Sequence, residues 1–500
     1  MKHLILFTFT LFSLSAFSQT QIGSDIDGEA AGDNSGESVS LSSDGKRVAI
    51  GAPNNSGNGI NSGHVRIYEA VNGVWTQIGN DIDGEASYDR SGRYLSISSD
   101  GKRVAIGAIY NDENGSNSGH VRIYEENNGT WTQIGSDIDG DAAIDNLGII
   151  SLSSDGKRVA IGAPGKDANG NDSGQVRIYG ESNGIWTQVG SDIDGDAAGD
   201  FLGCSLTLSS DGNVVAIGVP NSRILNYFSR IKIYVELNGT WTQVGSDIVG
   251  EDLLDGSGKS VSLSSDGKRV AIGAYRNNGN GTQSGHVRIY DESSGTWTQV
   301  GSDIDGEAAQ DESGNSVSLS ADGKRVAIGA PGNDSNGSSS GHVRIYDEIN
   351  GTWTQVGSDI DGEATGDASG HSVSLSLDGK SVAIGAWGND DNGTESGHVR
   401  IFALSNPPTS NINLENMLNT FSIFPNPNAG QFQLEVTGKP IDQLNLQVMN
   451  ALGVKVFERS INFTSGQITT DIDLEVPSGN YMLMVQHGQH KAYRKLSIVE

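Results

Sequence analysis

One tryptophan recurs along this chain at near-constant spacing. Trp75, Trp131, Trp186, Trp241, Trp297 and Trp353 follow one another at steps of 56, 55, 55, 56 and 56 residues. Each belongs to a block close to GSDIDGEAxGDxSGxSVSLSSDGKRVAIGAPxNDxNGxxSGHVRIYExxxGTWTQ, and seven copies, the last incomplete, run from Gln21 to Phe402. A fixed period of this length means a repeat architecture, in which each unit buries its faces only against its neighbours.

A single copy reads as four short strands. Ser38 to Ser42 alternates with period two, and Asp44-Gly45 follows as a tight-turn signal. Val48-Ala49-Ile50-Gly51-Ala52 places large residues on one face and small ones on the other. That suits a strand covered on both faces, with one close neighbour. A polar loop from Pro53 to Ser62 leads to Gly63–Tyr68, again alternating; Asn72-Gly73 turns, and Val74–Ile78 closes the unit. Four antiparallel strands per repeat predict a propeller blade, and stacking seven radially would bury both faces of each. The ends predict a closed ring. The seventh copy stops at Phe402 without a WTQ strand, and Gln19-Thr20-Gln21-Ile22-Gly23 is an orphan copy of that strand. Together they complete one blade and leave no interior edge.

These residues resemble the FG-GAP type of β-propeller repeat found in the integrin α-subunit head. The matching strings are Gly36-x-Ser38-Val39, Val48-Ala49-Ile50-Gly51-Ala52-Pro53 and Ser62-Gly63-His64-Val65. Calcium-binding members carry an Asp-rich loop between their first two strands. Here that connection is only Ser-Asp-Gly-Lys, so the family's usual calcium site is not carried over. The tail resembles the C-terminal sorting domain of the type IX secretion system of Bacteroidota. Phe421-Ser422-Ile423-Phe424-Pro425-Asn426-Pro427, Leu446–Gly453, Pro477–Tyr481 and Lys495–Val499 match its motifs in order. That resemblance implies a small Ig-like β-sandwich, export across the outer membrane through the secretion machinery, and release or surface attachment.

The fold expected is therefore all-β: a signal peptide at 1–18, a seven-bladed β-propeller at 19–402, a linker at 403–418 and a sorting domain at 419–500. Lys2 and His3, the apolar run Leu4 to Phe12 and Ala16-Phe17-Ser18 make the signal peptide. No later segment reads as a transmembrane span. The expected location is secreted or outer-surface, after passage through the periplasm. The formal charge of −30 speaks against nucleic acid, whose phosphates need clustered Lys and Arg.

Three groups of residues are candidates for chemistry. The connector between copies places carboxylates at positions 1, 3, 5 and 9, as in Asp137, Asp139, Asp141, Asp145 and in Asp192, Asp194, Asp196, Asp200. Alternate spacing on a curled loop can aim oxygens at one calcium ion. The alternative is a solvated connector whose Asp and Gly residues make turns. The histidines opening the third strand, His64, His120, His286, His342 and His398, are expected to serve structure. The fourth copy replaces its Asn/Gly loop with a segment bearing Arg223, Leu225, Tyr227, Phe228 and Arg230. Aromatic residues beside arginines suit a partner contact, with Tyr110, Tyr275 and Trp387 on the same rim; the alternative is a loop that folds down and packs on its own blade. The function expected is a binding or adhesion module for a protein or glycan. The alternative is a secreted polysaccharide-active enzyme, although no catalytic constellation stands out. Unlike polar residues at the channel mouth would favour the enzyme, and a uniform channel with one aromatic patch would favour binding.

Overall fold

The computed structural model describes residues 18–220, 228–405, 418–438, 441–450, 455–487 and 490–499. Among the described residues it is all-β, with seven five-stranded sheets followed by a three-stranded and a four-stranded one. Among the described residues, no helix is long and apolar enough to cross a membrane. Residues 1–17, most of the expected linker, and the segment with Arg223, Leu225 and Tyr227 lie outside the described residues.

The first blade shows how one copy folds. The inner strand Ser38–Leu41 pairs with Arg47–Ala52, that strand with His64–Val71, and that one with Val74–Gln77. The turn at Asp44-Gly45 forms because Asp44 Oδ1 accepts from Ser42 Oγ at 2.9 Å and from Lys46 N at 3.1 Å. Val48 and Ile50 face the seventh blade, against Val399 and Ile401. Ala49, on the opposite face, packs with Leu95, Val104 and Ile106 of the second blade. The small face must be small: a Cβ on Gly51 would stand 1.9 Å from the Gly92 carbonyl oxygen of that next blade.

Two side chains latch each blade to its neighbour. Trp75 Nε1 donates to Ile22 O at 2.7 Å, and Trp131 Nε1 donates to Ile78 O at 2.9 Å, each in the preceding repeat. Ser40 Oγ accepts from Ile97 N of the next inner strand at 3.2 Å. Alternating serine in the inner strand thus satisfies the edge amides of a neighbour that a flat sheet would leave bare.

Ser18–Gln21 pairs antiparallel with His398–Ser405, with Gln21 opposite Phe402, and closes the ring as the sequence predicts. One strand was not predicted. Inside the acidic connector, Ile82–Asp83 pairs with His64 and Val65, and every blade has its equivalent. The isoleucine drives this, because Ile26, Ile82 and Ile138 are buried between aspartates that face outward. The inner strands of adjacent blades lie side by side around an axial cavity of about 170 Å³. Leu41, Ile97, Leu152, Leu208, Leu263, Leu319 and Leu375 line it together with serines, so this end of the channel is nearly uniform.

The tail is a separate β-sandwich. Leu418–Phe424, Gln431–Gly438 and Gln467–Asp473 form one sheet; Lys455–Phe463, Ile441–Met449, Gly479–His487 and His490–Ile498 form the other. Phe432, Leu434 and Val436 meet Leu444, Leu446, Leu483 and Leu496 in its core.

Candidate functional site

The seven copies diverge most at positions that the fold gathers around one end of the channel, opposite the uniform one. The residue after the glycine opening each inner strand is Glu37, Arg93, Cys204, Lys259, Asn315 and His371 in six copies. The third copy omits it, so Gly148 leads directly to Ile149. Neighbours in this ring touch. Glu37 Oε1 is 3.7 Å from Arg93 Nη2 and 3.9 Å from His371 Nε2, and Asn315 Nδ2 donates to His371 O at 3.2 Å. Loss of surrounding water lowers the His371 pKa, with Glu37 opposing and Lys259 and Arg93 adding to the shift.

The next residue is serine in five copies, and its hydroxyl bonds the neighbouring blade, as Ser38 Oγ does to Gly92 O at 2.7 Å. The second and third copies carry Tyr94 and Ile149 instead. There the polar latch gives way to apolar packing, and beside it opens a mostly apolar cavity of about 760 Å³. Tyr94, Ile109, Tyr110, Ile149, Phe201, Cys204, Lys259, Tyr275 and Arg276 are among its lining residues. This volume suits a small ligand or the end of a larger one. Arg90 lies over the Tyr110 ring at 5.5 Å, and Arg276 over the Tyr275 ring at 4.8 Å. Burial pushes the Cys204 thiol up to about 11, so it lines the cavity as a small apolar group.

Four basic residues unique to their copies, Arg90, Arg93, Lys259 and Arg276, therefore stand at this mouth. Glu37, Glu312 and the cavity-lining Asp172 are acidic, and burial raises the Glu312 pKa against Arg276 and Lys259. On a chain of net charge −30, four cations against three carboxylates make this mouth less acidic than the chain as a whole.

The residues predicted for binding separate. Tyr110 and Tyr275 line the cavity, and Trp387 packs edge-on against His371 with ring centroids 6.2 Å apart. Phe228 is 43% exposed, while Arg223, Leu225 and Tyr227 lie outside the described residues. Arg230 is not a rim residue. It opens the strand Arg230–Leu237 and pairs with Asp196 at 3.2 Å, Asp200 at 2.7 Å and Asp247 at 3.4 Å.

The four carboxylates of one connector do not aim at one point, contrary to the calcium expectation: positions 5 and 9 share a side-chain cation in two copies, Lys166 for Asp141 and Asp145 and Arg230 for Asp196 and Asp200, while Asp192 and Asp194 share the Gln175 amide. Position 1 accepts from a preceding glutamine, as Asp137 does from Gln133 at 2.5 Å and Asp192 from Gln188 at 2.6 Å. Position 3 sits in the two-residue strand, as Asp139 and Asp194 do. Position 9 turns inward to cap the connector's own backbone, where Asp145 and Asp200 accept from Ala142 N and Ala197 N. Position 5 pairs with cations in these two copies: Asp141 with Arg177 and Lys166, Asp196 with Arg230 and Lys232. In the other five blades, position 5 of one connector and position 1 of the next meet at the buried histidine between them. Burial lowers these histidines, His120 to about 4.

The variable ring at the mouth was missed by reading motifs, which emphasise what the copies share. Writing the seven copies in register and looking for the column that never repeats finds it.

The FG-GAP repeat family matches residues 302–346 and 358–402, and the secretion system C-terminal sorting domain matches residues 422–499. No curated protein matches the chain. Among solved structures it is similar to hydrazine synthase of Kuenenia stuttgartiensis, at 15% identity and TM-score 0.47, covering 73% of this chain and 94% of that one. It is similar to Sqt1 from Chaetomium thermophilum, at 14% identity and TM-score 0.43, covering 84% and 97%. It is also similar to the β-propeller domain of the Trilobed protease from Pyrococcus furiosus, at 13% identity and TM-score 0.39, covering 70% and 90%. The chain is thus a β-propeller that carries FG-GAP repeats over residues 302–346 and 358–402 and ends in a secretion system C-terminal sorting domain over residues 422–499.

Proposed function

We propose that the ring is an exported binding module that takes an anionic glycan at the mouth bearing Lys259, Arg276 and the tyrosines. The sorting domain marks a secreted or cell-surface protein, and the signal peptide would deliver it first to the periplasm. One observation carries the binding reading. A mostly apolar cavity lined by Tyr94, Tyr110, Phe201 and Tyr275, and edged by Lys259 and Arg276, makes an aromatic patch on one rim, while the opposite channel end is nearly uniform. Aromatic rings suit the apolar faces of sugar rings, and Arg and Lys suit their carboxylates.

The test is a glycan array probed with residues 19–405, including uronic-acid and neutral saccharides. Binding to carboxylated glycans is expected, and it should weaken at least tenfold in the double variant Tyr110→Asn, Tyr275→Pro. Those are the residues the first copy carries, Asn54 and Pro53. Binding only to neutral glycans, or binding indifferent to both substitutions, contradicts the reading.

A second reading has one specific support. Six unlike residues, with Glu37 close to His371, are the arrangement from which an acid–base site could be built. A polysaccharide-active enzyme would release shorter products on incubation with the same glycans, and would lose that activity in Glu37→Gln.

A further inference from the structure

His64, His120, His286, His342 and His398 open the third strands of five blades, with side chains 0–2% exposed. Each stands between two successive acidic connectors. His120 Nδ1 is 3.7 Å from Glu85 Oε2 in the connector before it and 3.5 Å from Asp137 Oδ2 in the one after. The blades of His64, His286 and His342 repeat this at 3.6–4.0 Å, and His398 Nδ1 lies 3.8 Å from Glu363 Oε2 with a ligand atom of Asp25 within 4.8 Å. Such gaps are too long for good hydrogen bonds. Among the described residues, neither ring nitrogen of His120, His342 or His398 has a hydrogen-bond partner, and a buried polar group left that way is costly. The second Glu85 oxygen is engaged by Arg122 Nη1 at 3.4 Å, which turns Oε2 toward the imidazole.

These distances are close to those between ligands of one small cation. Two atoms each about 2.1 Å from a tetrahedral ion lie roughly 3.4 Å apart. The remaining two blades supply an internal comparison. The third has Gln175 and the fourth Arg230 at the histidine position, and aspartate replaces the glutamate in both. Each brings an extra side-chain cation into the junction. Lys166 Nζ is 3.0 Å from Asp141 Oδ2, and Arg230 Nη2 is 3.2 Å from Asp196 Oδ2. In the five histidine blades, the position of Lys166 holds asparagine, as at Asn55 and Asn111. The chain adds its own positive charge where the histidine is missing.

We propose that the five histidine junctions bind divalent transition-metal ions of the zinc type, each through one imidazole nitrogen and carboxylates from two successive connectors. An imidazole among the ligands favours zinc over calcium or magnesium, which prefer oxygen alone. Two junctions have a fourth protein ligand: Glu113 joins Glu85, His120 and Asp137, and Asp391 joins Asp25, Glu363 and His398. Four ligands close a tetrahedral site, whereas three leave a position for water. The ions would clamp one connector to the next. The Asp25 junction would also hold the N-terminal segment that closes the ring.

The experiment uses the mature protein, stripped with EDTA and dialysed, and titrated separately with ZnCl₂ and CaCl₂ by calorimetry, with retained metal counted by mass spectrometry. Two tight zinc equivalents and three weaker ones are expected, with zinc bound at least a hundredfold more tightly than calcium. His120→Gln and His398→Gln, which install the residue of the third blade, should each remove one tight equivalent. Glu113→Ser alters only an exposed side chain and tests the same site should a histidine variant fail to fold. It should convert one tight equivalent into a weak one. No retained zinc, a tight count unchanged in these variants, or a preference for calcium would overturn the proposal.

Discussion

Trp241 shows how much one side chain does here. Its ring is buried, and its Nε1 donates to Val189 O of the preceding repeat at 2.8 Å. Trp241→Ala should lower stability by about 3 kcal/mol in chemical denaturation, as for other large-to-small changes. Trp241→Phe keeps most of the apolar contact and loses the hydrogen bond, so about 1–2 kcal/mol is expected. A loss below 0.5 kcal/mol for Trp241→Ala would show that the blades do not depend on this latch. The periodic tryptophan was legible in the sequence; its partner was not, because the accepting carbonyl belongs to another copy. Asp141 gives a prediction in pH. Hydrogen bonding to Arg177, with help from Lys166, holds its carboxyl at about 2. A carboxylate depressed in the folded state stabilises above its unfolded value of about 4, and that contribution is lost as pH falls toward 2. Asp141 is about half exposed, so Asp141→Asn should cost only about 1 kcal/mol at neutral pH. The gap from the parent should close between pH 4 and pH 2, and a gap of constant size would contradict this account.

At the scale of elements, the four main strands of a blade follow from alternation and turn residues, and they form where expected. The fifth does not announce itself. Ile82–Asp83 is two residues long and lies among aspartates and glycines that read as a loop. The same limit explains the carboxylates. Spacing within one copy suggested a shared centre, yet the ring carries Glu85 of one connector toward Asp137 of the next, across an intervening blade. Sequence separation says nothing of such meetings until the ring is closed. Closure depends on the N-terminal strand, where Ser18–Gln21 pairs with His398–Ser405 and Ile26 is buried beside it. Deleting residues 19–26 should unpair the seventh blade and lower the melting temperature by many degrees, read by circular dichroism. An unchanged melt would show that the ring does not need this strand.

For the whole molecule, the two units carry different duties. The tail is the part that the export machinery reads, so deleting residues 419–500 should leave folded protein in the periplasm, detected by fractionation. Appearance of the truncated protein outside the cell would remove the tail from the export route. The propeller ring has one nearly uniform channel end, built of leucine and serine, and one end where each copy presents a different residue. The fold, apart from the two-residue strand in each connector, was legible in the repeat down to the closing strand; the candidate site was legible only as the rim tyrosines Tyr110 and Tyr275. The remainder, Glu37, Arg93, Lys259 and His371, looks like scatter between copies until the inner strands are set side by side. The most direct measurement is a crystal structure of the ring soaked with its best glycan from the array. Density in the cavity against Tyr110 and Tyr275, with an acidic group at Lys259 or Arg276, is the predicted result. Ligand bound on the outer strands or at the leucine–serine end, with this mouth empty, would contradict the account.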